Sequence, residues 1–161
     1  MKRRAFLNNS LAVSSGLLVL PELIPGSVFS AFRPNDKVNI GLIGCGRIAR
    51  EHNLPEILRY DDAMLIAVCD VDSRRLNDGR QMIENYYRSK SGNSYNAGIK
   101  MYEDYRELLL NPEIDAVLIC TPDHWHAQPA IEAARAKKDI YLQKPLTLTV
   151  AEGRLLSDIV K

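Results

Sequence analysis

A chain of 161 residues has room for one domain with a proper core, not for two of ordinary size. Its 46% hydrophobic and 25% charged residues are ordinary for a globular protein. A formal net charge of +1, with no long basic block, argues against a nucleic-acid partner.

Residues 1–30 stand apart from the rest. "MKRRAFL" sets Lys2, Arg3 and Arg4 ahead of "SLAVSSGLLVLPELIPGSVFSA", an apolar stretch broken by Ser, Gly and Pro. That is the layout of a cleavable export signal ending near Ser30 or Ala31. The paired Arg3 and Arg4, followed by Phe6 and Leu7, resemble a twin-arginine signal. The uninterrupted apolar run falls short of the ~20 residues a spanning helix needs, so no stable membrane span is expected. The expected destination is the periplasm, with the twin-arginine export machinery as a partner. "AFRPNDK", residues 31–37, reads as a linker.

From Val38 onward, strand and helix patterns alternate. "VNIGLI" (38–43) is an apolar run of strand length. "RIAREH" (47–52) predicts a short helix that ends ahead of Pro55, which opens a second piece, "PEILRY". "MLIAVC" (64–69) is the next strand, and Asp72 or Ser73 caps a helix through "RRLNDGRQMIENYYR". The polar "SKSGNSYNAG" (89–98) reads as a surface loop and "IKMY" (99–102) as a weak strand. Asp104 caps "DYRELLL", which stops before "NPE". "AVLIC" (116–120) is a further strand, "QPAIEAARAKK" a helix, "DIYL" (139–142) a short strand, and "TVAE" (149–152) a capping box opening the last helix. This order predicts an α/β fold, a doubly wound parallel sheet with helices on both faces, and ligands at the carboxyl ends of its strands.

Cys45, Cys69 and Cys120 sit at or just past the ends of strand runs. Their odd number argues against a disulfide framework, and none are spaced as in a zinc knuckle. They read as buried, inert thiols, and no metal site is expected.

"GLIGCGRIA" places Gly44-x-Gly46-x-x-Ala49 directly after the first strand and at a helix start. Gly44 permits the tight turn, Gly46 lets the backbone approach a pyrophosphate, and Ala49 allows close strand–helix packing. The turn residues Gly44, Cys45, Gly46, Arg47 and Ile48 are therefore candidate dinucleotide-binding positions. Asp70 ends the second strand, where a carboxylate accepts from both ribose hydroxyls of NAD; its alternative is a turn aspartate or the cap of the next helix. Arg74 and Arg75 follow closely and suit a 2′-phosphate. NAD is the favoured cofactor and NADP the alternative.

"VNIGLIGCGRIAREH", "AVCDVDSRR", "MYEDYRELL", "DAVLICTPDHWHA" and "KKDIYLQKPLTLT" run in order through residues 38 to 149. Together they resemble the glucose-fructose oxidoreductase / inositol dehydrogenase / MocA family. The resemblance implies that residues 38–161 form an NAD(P)-binding Rossmann domain. It implies that Thr121 and Pro122 line the cofactor site beside the nicotinamide half, with Trp125 and His126 near the nicotinamide ribose. Lys144, followed by Pro145, matches the lysine of the family's Glu-Lys-Pro motif, which contacts the cofactor and assists proton transfer at a sugar hydroxyl. A lysine partly desolvated beside a cationic nicotinamide gives up its proton more readily than one in water; its alternative is a strand-end lysine in solvent.

Gln143 departs from the family, standing where Glu is usual; adjacent strand side chains face opposite ways, so Lys144 need not be disturbed. For His126, cofactor contact competes with capping the following helix or packing on Trp125; His124 reads as one of the latter, and His52 as a structural helix-end residue. The resemblance also implies a second, sheet-containing domain that supplies a sugar or polyol pocket and the surface for any homo-oligomer. The chain reads as the front half of such an enzyme: able to bind dinucleotide, unable to turn over a sugar alone. Two further readings are an NAD-assisted glycoside hydrolase with tightly kept cofactor and a non-catalytic dinucleotide-binding remnant.

Overall fold

The computed structural model describes residues 37–91 and 98–161. The expected export signal, nearly all of the linker and residues 92–97 of the expected loop lie outside the described residues. Five strands form one all-parallel sheet: β1 (Val38–Ile43), β2 (Ala63–Cys69), β3 (Lys100–Tyr102), β4 (Ala116–Ile119) and β5 (Asp139–Leu142). Their order is β3-β2-β1-β4-β5. The winding reverses between β1 and β4, and such a switch point opens a crevice at the strands' carboxyl ends.

Helix α1 spans residues 47–57, α2 is Ser73–Ser91, α3 Tyr105–Leu109, α4 Ala127–Arg135 and α5 Val150–Val160. The strands carry apolar residues on both faces because both faces are covered. Ile40 and Leu42 of β1, Leu65 and Val68 of β2 and Leu118 of β4 pack with Ala49, Leu54, Leu76 and Ile83 from α1 and α2. On the opposite face Ile43, Ala67, Val117 and Ile119 pack with Leu108, Ala130, Ala133 and Leu156 from α3, α4 and α5.

The expected caps form. Asp72 Oδ1 accepts from the amides of Arg74 and Arg75, and Asp104 accepts from the Arg106 amide. Thr149 and Glu152 close a reciprocal capping box. The sequence reading placed the end of α2 at Arg88; the helix continues to Ser91.

Pro55 sits in the first turn of a second piece, the α-helical Leu54–Ile57, as expected, but the chain enters that piece without a break. Residues Ala49–Asn53 form a π-helical turn, with the Leu54 amide donating to Ala49 O, and it runs directly into the α-helical Leu54–Ile57. The wider turn accommodates a proline that lacks an amide and crowds the preceding turn, so the helix continues through it. His52 lies exposed in the last turn of the π-helical stretch. No helix among the described residues is long and apolar enough to cross a membrane.

Candidate cofactor site

A cleft of about 710 Å³ opens at the carboxyl ends of the strands, within the size range of small-molecule sites. The end of β1 forms its floor. Gly44 has φ +92°, and a Cβ there would come within 2.8 Å of the Cys120 carbonyl, so only glycine fits this turn between β1 and β4. At Gly46 a Cβ would meet nothing within 4 Å. That open space lies where helix α1 begins. The first helical bond runs from the Arg50 amide to Gly46 O, so the amides of residues 46–49 precede it and have no partner within the helix. Amides without an intrahelical partner, an open approach and the positive end of a helix fit a pyrophosphate.

Asp70 reaches back to this turn from the end of β2. Its Oδ2 accepts from the Cys45 amide at 2.7 Å and its Oδ1 from the Asp72 amide at 2.9 Å. The carboxylate lines the cleft while tying two loops together, and the helix cap is Asp72 instead. Arg75 lines the cleft; Arg74, the expected binding residue, does not. Consecutive residues on a helix point about 100° apart, so only one of the pair can face the cleft.

Cys45 contributes backbone only. Its side chain is fully buried against α2, with Sγ 2.8 Å from the point a Gly79 Cβ would occupy. Burial pushes the Cys45 thiol far above its usual range, with the Asp70 charge adding to the effect. Burial raises Cys69 and Cys120 as well, each to about 12. Such thiols are protonated and unreactive at neutral pH. No cluster of three or more His, Cys, Asp or Glu among the described residues could hold a metal.

The opposite wall comes from "CTPDHWHAQ". Thr121 and Pro122 line the cleft, and a 3₁₀ turn, Asp123–Trp125, presents Trp125 to it, 46% exposed. Thr121 Oγ1 donates to Trp125 O at 2.9 Å, holding this turn. His124 is exposed beside it. His126 borders the cleft but is only 1% exposed. One ring nitrogen faces Pro145 O and the other Thr121 O, the latter at 2.8 Å. With both nitrogens engaged, His126 joins the loop after β4 to the segment after β5, and its ring caps no helix.

Lys144 is exposed and lines the cleft, and its Nζ makes no hydrogen bond or ion pair among the described residues. Pro145 does not line the cleft; it contributes the carbonyl held by His126. Gln143 and Lys144 were expected on opposite faces of a strand. The strand instead ends at Leu142, both residues line the cleft, and Gln143 Oε1 accepts from the Lys144 amide at 2.8 Å.

The sequence reading missed Glu103, Asp104, Tyr105 and Arg106, which close the cleft beyond β2. Their signal was position: they follow a strand that neighbours β2, so they also lie at the sheet's carboxyl edge.

Residues 38–161 match the family described as GFO_IDH_MocA, oxidoreductases with an NAD-binding Rossmann fold. The myo-inositol 2-dehydrogenase of Thermotoga maritima is 36% identical over 126 residues, covering 77% of this chain and 33% of that protein. The alpha-N-acetylgalactosaminidase of Shewanella oneidensis is 31% identical over 168 residues, covering 93% of this chain and 35% of its own length. Among solved structures, the WlbA dehydrogenase of Chromobacterium violaceum, in complex with NADH and UDP-GlcNAcA, superposes with a TM-score of 0.61 at 25% identity. That likeness covers 77% of this chain and 32% of WlbA, so the chain spans about a third of the length of these relatives. On sequence and fold alike, the chain belongs to the GFO/IDH/MocA oxidoreductase family and carries its NAD-binding Rossmann domain.

Proposed function

We propose that this chain is the cofactor-holding part of an exported NAD(P)-dependent oxidoreductase acting on sugars or polyols. The observation that carries the reading is the strand-end cleft that gathers the open turn at Gly46, the Asp70 carboxylate and a Lys144 with no partner among the described residues. Residues 46–49 hold the pyrophosphate on their amides, and Asp70 takes the adenine-side ribose. Thr121, Pro122 and Trp125 flank the nicotinamide half. Bound there, the nicotinamide supplies hydride transfer. Lys144 handles the proton: its Nζ takes it from the substrate hydroxyl in oxidation and returns it in reduction. The myo-inositol dehydrogenase among the relatives supports a polyol as the substrate class.

The paired Arg3 and Arg4 support export by the twin-arginine route. That route carries folded proteins, which allows the cofactor to be loaded before export. Free NAD is not expected outside the cytoplasm, so the cofactor is kept and recycled within one catalytic cycle. Mass spectrometry of the native protein from its host tests this directly: co-purified NAD(H) is the expected finding, and a nucleotide-free protein contradicts it.

One observation favours a second reading, glycoside cleavage through transient oxidation of a ring hydroxyl. The match to the Shewanella glycosidase covers 93% of this chain and so extends ahead of Val38, whereas the match to the Thermotoga dehydrogenase covers 77%. Product analysis separates the two: a glycoside cleaved with no net NADH formation supports the second reading, and a polyol oxidised to a ketone supports the first.

A further inference from the structure

Lys144 is flanked on both sides by tethers. After it, the Pro145 carbonyl is held by His126. Before it, Gln143 is pinned twice. Its amide N–H donates to Ile119 O at 3.0 Å, extending the β4–β5 ladder by one bond. Its side chain spans a wider gap, with Nε2 donating to Asn53 Oδ1 at 3.0 Å while Oε1 accepts from the Lys144 amide. Asn53 is 7% exposed, one of few buried polar residues, and it ends the π-helical turn of α1. The same helix begins with the amides of residues 46–49, which have no intrahelical partner.

We propose that Asn53 is a positioning residue. Through the Gln143 side chain it fixes the main chain at Lys144 relative to the helix that binds the pyrophosphate. The phosphate site and the proton-handling lysine are then held in one frame by an amide pair that links residues 90 positions apart. The proposal rests on the role given to Lys144 above. It also accounts for glutamine at position 143. A side-chain amide donates and accepts at once, so Gln143 serves Asn53 with one atom and Lys144 with the other.

The chemistry of this pair makes a specific pattern. Asn53→Asp keeps an acceptor for Gln143 Nε2. Gln143→Glu keeps an acceptor for the Lys144 amide, and Asn53 can rotate to offer its Nδ2 to the new carboxylate. With both changes, two carboxylates meet with no donor between them. The double variant of the full chain should therefore lose NADH affinity by more than about tenfold beyond the product of the losses in the two single variants. An additive double variant overturns the proposal.

A second measurement needs no cofactor. In Asn53→Ala the Gln143 side chain is released, and hydrogen exchange at the Lys144 amide should rise about tenfold or more. The Gln143 amide, held by Ile119 O, should keep its wild-type rate. Unchanged exchange at Lys144, or an equal rise at both amides, overturns the proposal. If wild type binds no NADH while the exchange pattern holds, the proposed function fails and the tether stands.

Discussion

The Cys45 amide donates to Asp70 Oδ2 at 2.7 Å, so the acidic residue ending β2 is bonded to the glycine turn ending β1. One carboxylate thus fixes the turn and faces the cleft. In Asp70→Ala the part-buried Cys45 amide loses its acceptor, at a cost of about 1–3 kcal/mol in unfolding free energy. With Asp70 at the ribose as proposed, loss of the charge also removes repulsion toward a 2′-phosphate, so affinity for NADPH relative to NADH should rise by about tenfold. Denaturant unfolding and parallel titrations with both nucleotides check the two effects.

Gly44 and Gly46 separate folding from binding. Gly44→Ala forces a side chain into φ +92° and against the Cys120 carbonyl, and should destabilise by about 3 kcal/mol. Gly46→Ala meets no atom of the described residues within 4 Å and should leave stability unchanged or raise it by up to about 1 kcal/mol. Its methyl group instead enters the space proposed for the pyrophosphate and should weaken NADH binding by about tenfold or more. Thermal melts with and without nucleotide distinguish the two.

Lys144→Met should leave the melting temperature within the effect of about 0.5 kcal/mol, because the side chain is exposed and Nζ has no partner among the described residues. In the protein with its full substrate site, turnover should fall by about 10²–10⁴ while NADH still binds. Pre-steady-state NADH formation checks this.

Alkaline pH should unfold the domain through its thiols. Burial raises Cys69 and Cys120 from 9.0 to about 12, so the folded state retains protons that the unfolded state releases. Their contribution is fully present below the unfolded value and is lost as pH rises from there through about 12. By pH ~10.5 the loss is roughly 2 kcal/mol per thiol. A Cys69→Ala/Cys120→Ala variant should show a shallower fall over the same interval in denaturant unfolding.

The strands were legible because β1, β2 and β4 are apolar runs of strand length bounded by turn residues, as strands buried on both faces are. Gly44, Gly46 and Asp70 were legible for a similar reason: their spacing follows from strand–turn–helix geometry. Contacts between distant segments were not. Asn53 looks like any polar helix residue until the π-helical turn places it under Gln143, and no local pattern announces that turn. Nor does the sequence around His126, where cofactor contact, capping and packing on Trp125 compete, announce the two carbonyls, one of them 19 residues away, that its ring nitrogens face. Arg74 and Arg75 are equivalent in sequence, and only the phase of α2 selects Arg75 for the cleft.

Trp125 is the only tryptophan in the chain and it lines the cleft, so its emission reports on the site without labelling. The most direct test is titration of the nucleotide-free chain with NADH while tryptophan is excited. Saturable quenching of Trp125 with matching nicotinamide emission, greatly weakened in Gly46→Ala, is the predicted result. Trp125 emission unaffected by NADH, or quenched equally in Gly46→Ala, would contradict a dinucleotide seated against the turn at Gly46.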